Sequence, residues 1–350
     1  MTSRQKFSFR RSWKLPLVGL LIALYLFAYL KSWPYVITGP GSADPIHSRV
    51  ETGHQLDQQG QFLFVTVSSR SKPNLFSLLY AKLNPKLDIQ TEAKATGGRT
   101  NLEAYRNLLA WMRDSSENIA MVAAYNAMGK KIDYEEQGVI VVNFLPGSKA
   151  PEGGLQEGDI ITQIDGQDTT KFEDFLKYIS GKKPGDVVKV SGKRGDKTFK
   201  ATLTLMKLDD GRTGIGFQRD IVLKVTPPDP VKFDFSDIGG PSAGLMMTLE
   251  IISQLTDEDL TRGYTIAGTG TISMDGAVGQ IGGINYKLMA ADNENADYFL
   301  VPYSGDFSNW KLAEETVKKY DLSPKLVKVA TLDDAVKFLK ELPAKAEPAK

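Results

Sequence analysis

A serine in a glycine-rich turn is the clearest candidate for chemistry. Residues 237–244 read DIGGPSAG and run into an apolar series up to Ile252, whose spacing predicts a buried helix. Ser242 would then lie at or near the first turn of that helix. The unpaired backbone N–H groups at a helix start can stabilise an oxyanion that forms beside a nucleophile. Ser242 is therefore a candidate nucleophile, and an ordinary N-cap serine is the alternative.

The backbone of the same turn would shape the oxyanion site. The candidates for this role are Gly240, Pro241 and Ala243. Glycine lets a substrate backbone approach closely, proline fixes φ, and the small Ala243 keeps the helix start slim.

The composition limits which side chain could activate the serine. The chain has no cysteine, and its two histidines, His47 and His54, lie far upstream of Ser242. Lys287 follows a glycine pair near the start of a second apolar helix, predicted over residues 284–291. A free lysine has a pKa of ~10.4, but burial can lower this pKa by several units and make the amine a base. The alternative is a solvated surface lysine.

The two stretches resemble the two signatures of the Lon protease proteolytic domain, a Ser-Lys dyad peptidase. The first signature corresponds to GGPSAG at residues 239–244. The second corresponds to TGTI at 269–272, then VGQIGG at 278–283, and then Lys287.

This resemblance implies Ser242 as nucleophile, Lys287 as general base and Thr269 as a hydroxyl that orients the lysine. The sequence departs from the family at two positions: Gly239 replaces an acid, and Thr271 replaces a glutamate. Neither position is assigned a function.

Length and charge bound the rest of the interpretation. The 350 residues give room for two or three domains, and 43 basic against 42 acidic side chains give no charge bias toward nucleic acid. The lack of cysteine suits an oxidising exterior. We predict neither a metal nor a cofactor, and no nucleic-acid partner.

The N-terminal segment has the pattern of a membrane anchor. Residues 1–14 carry five basic side chains and no acid, and residues 15–30 are almost continuously apolar. Flanking aromatic residues extend the predicted transmembrane signal anchor to 15–35, with the basic tail in the cytoplasm and the rest outside. A cleaved signal peptide is the alternative, but no clear small-x-small cleavage site follows the apolar run. The predicted location is the cell membrane, with a single pass.

Residues 36–125 are predicted as an N-terminal extracytoplasmic region without assigned chemistry. Within it, the patterns predict a strand at 61–68 and helices at 75–83, 102–112 and 119–128.

Residues 126–206 resemble a PDZ domain of the type found in bacterial proteases. The stretch from Gly138 predicts strands separated by Pro-Gly and Asp-Gly turns, with a helix over 171–179. The resemblance implies that a peptide adds as a strand along this first strand, with its carboxylate near Gly138. The peptide-binding candidates are Gly138, Val139, Ile140 and Val141. A small αβ domain without a binding role is the alternative.

Residues 207–342 alternate strands and helices, which predicts the α/β layer of the Lon-like proteolytic domain. A disordered tail is predicted over 343–350. The sequence contains no G-x-x-x-x-G-K-[ST] phosphate loop, so we expect no ATP-driven motor within it. The predicted fold class is thus α/β and α+β multidomain: a transmembrane helix, a PDZ domain and a Lon-type domain.

This order of segments resembles the YlbL/SepM group of membrane-anchored Lon-like serine proteases of Gram-positive bacteria. The resemblance implies an ATP-independent endopeptidase that cleaves exported peptides or unstructured extracellular segments, and some members are associated with pheromone-peptide processing. It also makes a homo-hexamer a candidate assembly, since Lon-type domains often form hexameric rings. Two other hypotheses stay open: a catalytically inactive membrane-tethered PDZ scaffold that binds partner C-termini, and a chaperone-like sensor.

Overall fold

The computed structural model describes residues 14–54, 58–97, 102–305 and 308–346. The chain divides into two compact units. The smaller unit comprises residues 1–41 and 67–100, and the larger unit comprises residues 42–66 and 101–350.

Nine helices lie within the described residues: α1 Lys14–Leu30, α2 Leu75–Leu83, α3 Glu92–Ala95, α4 Leu102–Ala127, α5 Phe172–Ser180, α6 Gly244–Thr256, α7 Ile284–Asn293, α8 Ser308–Tyr320 and α9 Leu332–Glu341. The strands of the first half of the described chain are β1 Tyr35–Pro45, β2 Val50–Glu51, β3 Gln61–Ser71, β4 Asp88–Thr91, β5 Asp133–Phe144, β6 Asp159–Ile164 and β7 Gln167–Asp168. The remaining strands are β8 Val187–Arg194, β9 Lys197–Thr204, β10 Met206–Lys207, β11 Thr213–Gly214, β12 Phe217–Thr226, β13 Lys232–Phe233, β14 Thr265–Gly268, β15 Thr271–Ile272, β16 Val278–Gly279, β17 Tyr298–Pro302 and β18 Lys325–Val329.

The smaller unit combines helices α1 to α3 with a short antiparallel pair of strands. Residues 35–38 of β1 pair with β4. Helix α2 begins after Asn74, whose side chain accepts a hydrogen bond from the Ser77 N–H at 2.9 Å, as expected for an N-cap asparagine.

The predicted membrane segment over residues 15–35 differs from the helix observed there. Helix α1 ends at Leu30, and Tyr35 already begins strand β1. Within the described ranges, no helix has both the length and the apolar character needed to cross a membrane. Most of the predicted basic tail, residues 1–14, lies outside the described residues.

The larger unit is built on a parallel sheet with the strand order β18-β17-β14-β3. Alternate residues of each strand enter different cores, since side chains in a strand point to opposite faces. On β3, Phe62 and Phe64 join the core that contains α6 residues, while Leu63 and Val65 join the core that contains α7 residues. Helices therefore cover both faces of the sheet, as parallel sheets require.

The predicted N-terminal region over residues 36–125 does not form a unit of its own. Residues 42–66 and all of α4 belong to the larger unit, where β3 pairs with β14. Helix α4 is also one continuous helix of 26 residues, where the sequence pattern predicts two. Its residues Ala120 to Tyr125 are buried in the core shared with α6, so the segment helps to build the fold around Ser242.

Residues 133–226 of the larger unit form an antiparallel sheet with the order β12-β5-β6-β8-β9. Helix α5 packs on this sheet through the buried side chains of Phe175 and Ile179.

The predicted disordered tail is partly ordered. The Lys345 ammonium lies 2.6 Å from an Asp297 carboxylate oxygen, and the Lys345 N–H donates to the Arg262 carbonyl at 2.9 Å. These two bonds anchor the chain after α9. Residues 347–350 lie outside the described part of the chain.

Candidate active site

The serine turn precedes helix α6. Gly240 has φ +91°, a left-handed conformation that glycine adopts without strain, and it lets the chain turn before Pro241. The N-cap of α6 is Ala243, whose side chain makes no capping bond, so Ser242 is not the N-cap serine of the alternative interpretation. The hydroxyl of Ser242 is therefore free to serve another partner.

That partner is the amine of Lys287. Its Nζ lies 2.6 Å from the Ser242 Oγ and 2.8 Å from the Thr269 Oγ1. Lys287 is in the first turn of α7, after the N-cap Gly283, and only 3% of its surface is exposed. The first turn of α7 thus carries the lysine inward, and the surface alternative for this residue is wrong.

Burial changes the acid-base chemistry of this lysine. Desolvation lowers the pKa of Lys287 from 10.5 to about 7, because a charged ammonium loses its hydration inside the protein. Among the described residues, no carboxylate lies within salt-bridge distance of its Nζ to reverse this effect. A substantial fraction of the amine is therefore neutral near pH 7 and able to accept a proton.

Thr269 connects the lysine to the serine turn. It follows β14 and is completely buried. Besides its contact with Lys287, its hydroxyl donates to the Ser242 carbonyl at 3.0 Å, and the neighbouring Gly270 N–H donates to the same oxygen at 2.9 Å. The end of β14 thereby fixes the distance between the two candidate catalytic side chains.

The backbone candidates for the oxyanion site require a correction. The N–H of Gly240 donates to the Leu109 carbonyl on α4 at 3.1 Å, so it does not face a substrate, and Pro241 has no N–H. The N–H groups of Ser242 and Ala243 donate to no acceptor among the described residues. These two adjacent N–H groups are therefore open to an acceptor from a substrate.

One departure from the Lon signature has a steric reason. A Cβ atom at Gly239 would lie 3.2 Å from the Cβ of Leu109, so the acidic side chain found in the family has little room against α4. The nearby acid Asp237 instead forms an ion pair with Arg49 at 2.7 Å, which anchors the start of the serine turn. Thr271, the second departure, lies in β15 and pairs with Gly279.

The peptide-binding site predicted at Gly138, Val139, Ile140 and Val141 is wrong. These residues lie in β5, which pairs with β12 on one side and with β6 on the other. A strand whose two edges are both paired has no N–H or C=O groups left for an added peptide strand. A peptide bound to this PDZ-like sheet would therefore have to pair with another strand.

The free edge belongs to β12, the terminal strand of this sheet within the described residues. Asn118 of α4 donates to the Leu223 carbonyl at 3.1 Å, and the Ile221 N–H donates to the Asp220 side chain, which leaves residues 217–220 open. Helix α5 runs on the same side, where Phe175 and Phe217 are in edge contact with ring centroids 6.3 Å apart. The groove between α5 and the first half of β12 is hereafter the α5–β12 groove.

Residues 215–216, which connect β11 to β12, can hold a carboxylate and are hereafter the carboxylate loop. The N–H groups of Ile215 and Gly216 donate to no acceptor among the described residues. Gly216 has φ +87°, and a Cβ there would clash with Met206 and Ser148, so only glycine fits. The corresponding sequence signal is the GIGF stretch at 214–217, which connects β11 to the first residue of β12.

Fold and site together place the domain that carries Ser242 and Lys287 in the serine-peptidase class. Residues 232–339 match the family model of the Lon protease (S16) C-terminal proteolytic domain, and residues 126–205 match the model of a PDZ domain. Both matches agree with a mixed α/β multidomain chain.

Several similar proteins are Lon proteases. One, from Clostridioides difficile (strain 630), is 33% identical over 163 residues, which cover 43% of this chain and 18% of the relative. Another, from Elusimicrobium minutum (strain Pei191), is 30% identical over 164 residues, which cover 46% of this chain and 18% of the relative. The chain thus matches about a fifth of the length of these curated relatives.

Among solved structures, the PDZ domain of the SdrC-like protein from Listeria monocytogenes is 37% identical to the matched part of this chain. The match covers 24% of this chain and 87% of that domain, with a TM-score of 0.22.

Proposed function

We propose that the protein is a serine endopeptidase that cleaves peptides with a Ser242–Lys287 dyad and without ATP. The observation that carries this proposal is the 2.6 Å contact between the Lys287 Nζ and the Ser242 Oγ. The amine has no carboxylate partner among the described residues, and its pKa is lowered to about 7 by burial.

In the acylation step, neutral Lys287 takes the hydroxyl proton as the Ser242 Oγ bonds to the substrate carbonyl carbon. The negative charge on the carbonyl oxygen is stabilised by the N–H groups of Ser242 and Ala243. As the C–N bond breaks, the leaving amine takes this proton from Lys287. The acyl-enzyme remains as an ester on Ser242.

In the deacylation step, a water molecule gives its proton to the same lysine and attacks the ester carbon. The ester bond then breaks, the Ser242 oxygen recovers the proton from Lys287, and the new carboxylic acid leaves. Thr269 holds Nζ in place through both steps, since its hydroxyl also contacts the amine at 2.8 Å.

The substrates proposed are exported peptides or unstructured extracellular segments, with pheromone processing as one role within this class. The sequence contains no phosphate loop, which supports substrates that need no unfolding. We place the C-terminus of a peptide or protein in the α5–β12 groove, with its carboxylate on the N–H groups of Ile215 and Gly216. A hexameric ring, which analytical ultracentrifugation would detect, belongs to the same proposal.

Membrane anchoring is also part of this proposal. Its support is the basic sequence of residues 1–14 and the exposed apolar side chains of α1. The chain has no cysteine, so a single Lys318→Cys variant can be labelled with a membrane-impermeant maleimide on intact cells. Labelling together with retention in carbonate-washed membranes is expected. A labelled protein that the carbonate wash releases would contradict an anchor.

The central test uses the full chain with a library of unstructured peptides, read by mass spectrometry. The parent is compared with Ser242→Ala, Lys287→Ala and the matched control Lys318→Ala, which removes an exposed lysine on α8. Cleavage by the parent and the control, but by neither dyad variant, is expected. If both folded dyad variants cut like the parent, the dyad assignment is wrong.

The alternative is a membrane-tethered scaffold that binds partner C-termini without cleaving them. It predicts peptide binding by all four proteins and cleavage by none. The proximity of Ser242 to a lysine with a lowered pKa favours the peptidase.

A further inference from the structure

Arg219 projects from β12 into the α5–β12 groove. Its guanidinium carbon lies 3.6 Å from the ring centroid of Phe172, the first residue of α5. This stack places a positive charge beside an apolar surface, where Phe172 and the 39% exposed Leu176 lie one helical turn apart.

The guanidinium has no carboxylate partner among the described residues. The negative charge of the adjacent Asp220 raises the pKa of Arg219, but the two side chains form no ion pair within salt-bridge distance. Desolvation in the groove lowers the pKa of Arg219 below its ordinary value, although the residue is exposed, so the charge keeps only part of its hydration. An arginine fork of this kind matches a carboxylate in geometry and charge.

The place of Arg219 along the strand defines which peptide residue it meets. It lies three residues beyond Gly216, and strand residues are spaced by ~3.3 Å, so it is roughly 10 Å from the carboxylate loop. An antiparallel peptide with its C-terminus on that loop would bring its second or third residue before the C-terminus to Arg219.

We propose that the α5–β12 groove selects peptides that carry an acidic side chain two or three residues before an apolar C-terminal residue. This inference rests on the proposed peptide-binding role of the groove and adds the chemistry of the partner. The apolar residue would pack near Leu176, and the acid would pair with Arg219.

The test measures binding of fluorescein-labelled decapeptides to the full chain by anisotropy, in a Ser242→Ala background that prevents cleavage. The peptides end in leucine and carry either Glu or Gln at the second and third residues before the end. A third peptide carries Glu and a C-terminal amide. Arg219→Gln is compared with Lys193→Gln, which removes a similar charge on β8, three strands away.

We expect the Glu peptide to bind about tenfold more tightly than the Gln peptide. The difference should vanish in Arg219→Gln and persist in Lys193→Gln. Equal binding of Glu and Gln peptides, with the amide peptide still weaker, would overturn the acidic preference and leave the groove intact. No binding by any peptide would overturn the groove itself.

Ser116 on α4 also contacts the serine turn. It is 4% exposed, and its hydroxyl donates to the Pro241 carbonyl at 3.1 Å. In a trans peptide the C=O and the following N–H point in opposite directions. A carbonyl held toward α4 therefore turns the Ser242 N–H away from α4.

From this geometry we infer that Ser116 is a positioning residue for the oxyanion site. Thr269 and Gly270 hold the Ser242 carbonyl, and so orient the Ala243 N–H, in the same way. The Pro241 carbonyl also accepts the Gly244 N–H at 3.3 Å, so each oxyanion donor is set by one side-chain bond and one backbone bond to the carbonyl of its own peptide group. The inference rests on the proposed peptidase activity.

Ser116→Ala should lower kcat about tenfold and change KM less than twofold, because the donor is needed most in the transition state. The midpoint of the pH profile should stay that of the parent. Ser116→Thr should keep parent-like activity, because the hydroxyl remains. Ser116→Cys, a weaker donor of similar size, should have an activity between those of the parent and Ser116→Ala. Ser115→Ala is the matched control.

Parent-like kcat in Ser116→Ala, or equal losses in the Thr and Ala variants, would overturn this role. A loss of activity that follows a lower Tm would show a structural role instead. If the parent itself cuts no peptide, the proposed peptidase function fails first.

Discussion

Two basic side chains in two regions of the larger unit show how the same physical effect leads to different chemistry. Lys287 in the active site and Arg219 in the α5–β12 groove both lose hydration, and burial lowers the pKa of both. Lysine starts at 10.5 and reaches about 7, where it can exchange protons. The ordinary pKa of arginine is so high that the guanidinium stays charged at neutral pH. The buried lysine becomes a base, and the exposed, partly desolvated arginine stays a fixed charge for recognition.

The sharpest test of this contrast is Lys287→Arg. The variant keeps a long basic side chain but cannot supply a neutral base, so peptide cleavage should fall by at least about 10³-fold. Initial rates with one defined peptide check this expectation, with Lys318→Arg as the control. A variant that retains a tenth of the parent rate would show that deprotonation of residue 287 is not required.

The pH profile tests the lysine directly. Because the pKa of Lys287 is lowered to about 7, the neutral fraction falls as pH drops below 7 and approaches completeness above it. Between pH 5.5 and 8, kcat/KM should rise about thirtyfold and then level off. A profile that is flat or falls across this range would contradict Lys287 as the base.

Lys287→Met should change stability with a sign that depends on pH. The unfolded state binds more protons between pH 7 and 10.5, so the stability of the parent rises with pH in this window. At pH 7 the lowered pKa of the buried amine costs the parent about 4 kcal/mol of stability. The variant avoids this cost but loses the two hydrogen bonds of the amine, which offset about half of the gain. The variant should therefore be about 2 kcal/mol more stable than the parent.

At pH 9.5 most of that cost is gone, and the variant should be about 1 kcal/mol less stable than the parent. Urea unfolding at both pH values measures the difference. A difference that stays the same at both values would mean that the lysine is not buried in solution.

The smallest expected effect is that of Arg219→Lys on acidic peptides. The charge remains but the planar fork is lost, so binding should weaken only about two- to threefold. Anisotropy with the Glu peptide measures this change. A loss as large as that of Arg219→Gln would mean that geometry rather than charge decides recognition in the groove.

The dyad was predictable because its signals are local. A glycine-proline turn before one apolar helix and a glycine pair before another bring Ser242 and Lys287 to helix starts, and the structure places their side chains in contact. The pattern also predicted the parallel strands, since each is a short apolar run.

The groove was not predictable in the same way. Whether a strand is an edge depends on which strands pair with it, and β5 and β12 look alike in sequence. The sequence pattern predicts two helices where α4 is one, because residues 113–118 are polar. In the structure these residues contact the serine turn and β12. Tertiary contacts of this kind leave no periodic signal along the chain.

The pairing of β3 with β14 has a consequence for biosynthesis. Gln61 and Thr265 are partners in the sheet, although they lie 204 residues apart in the chain. At ~5–20 residues per second, a ribosome needs roughly 10 to 40 seconds to make the second strand after the first. During that delay β3 lacks its neighbour and Lys287 does not yet exist. On the proposed mechanism, a nascent chain therefore has no general base for cleavage until Lys287 has been made.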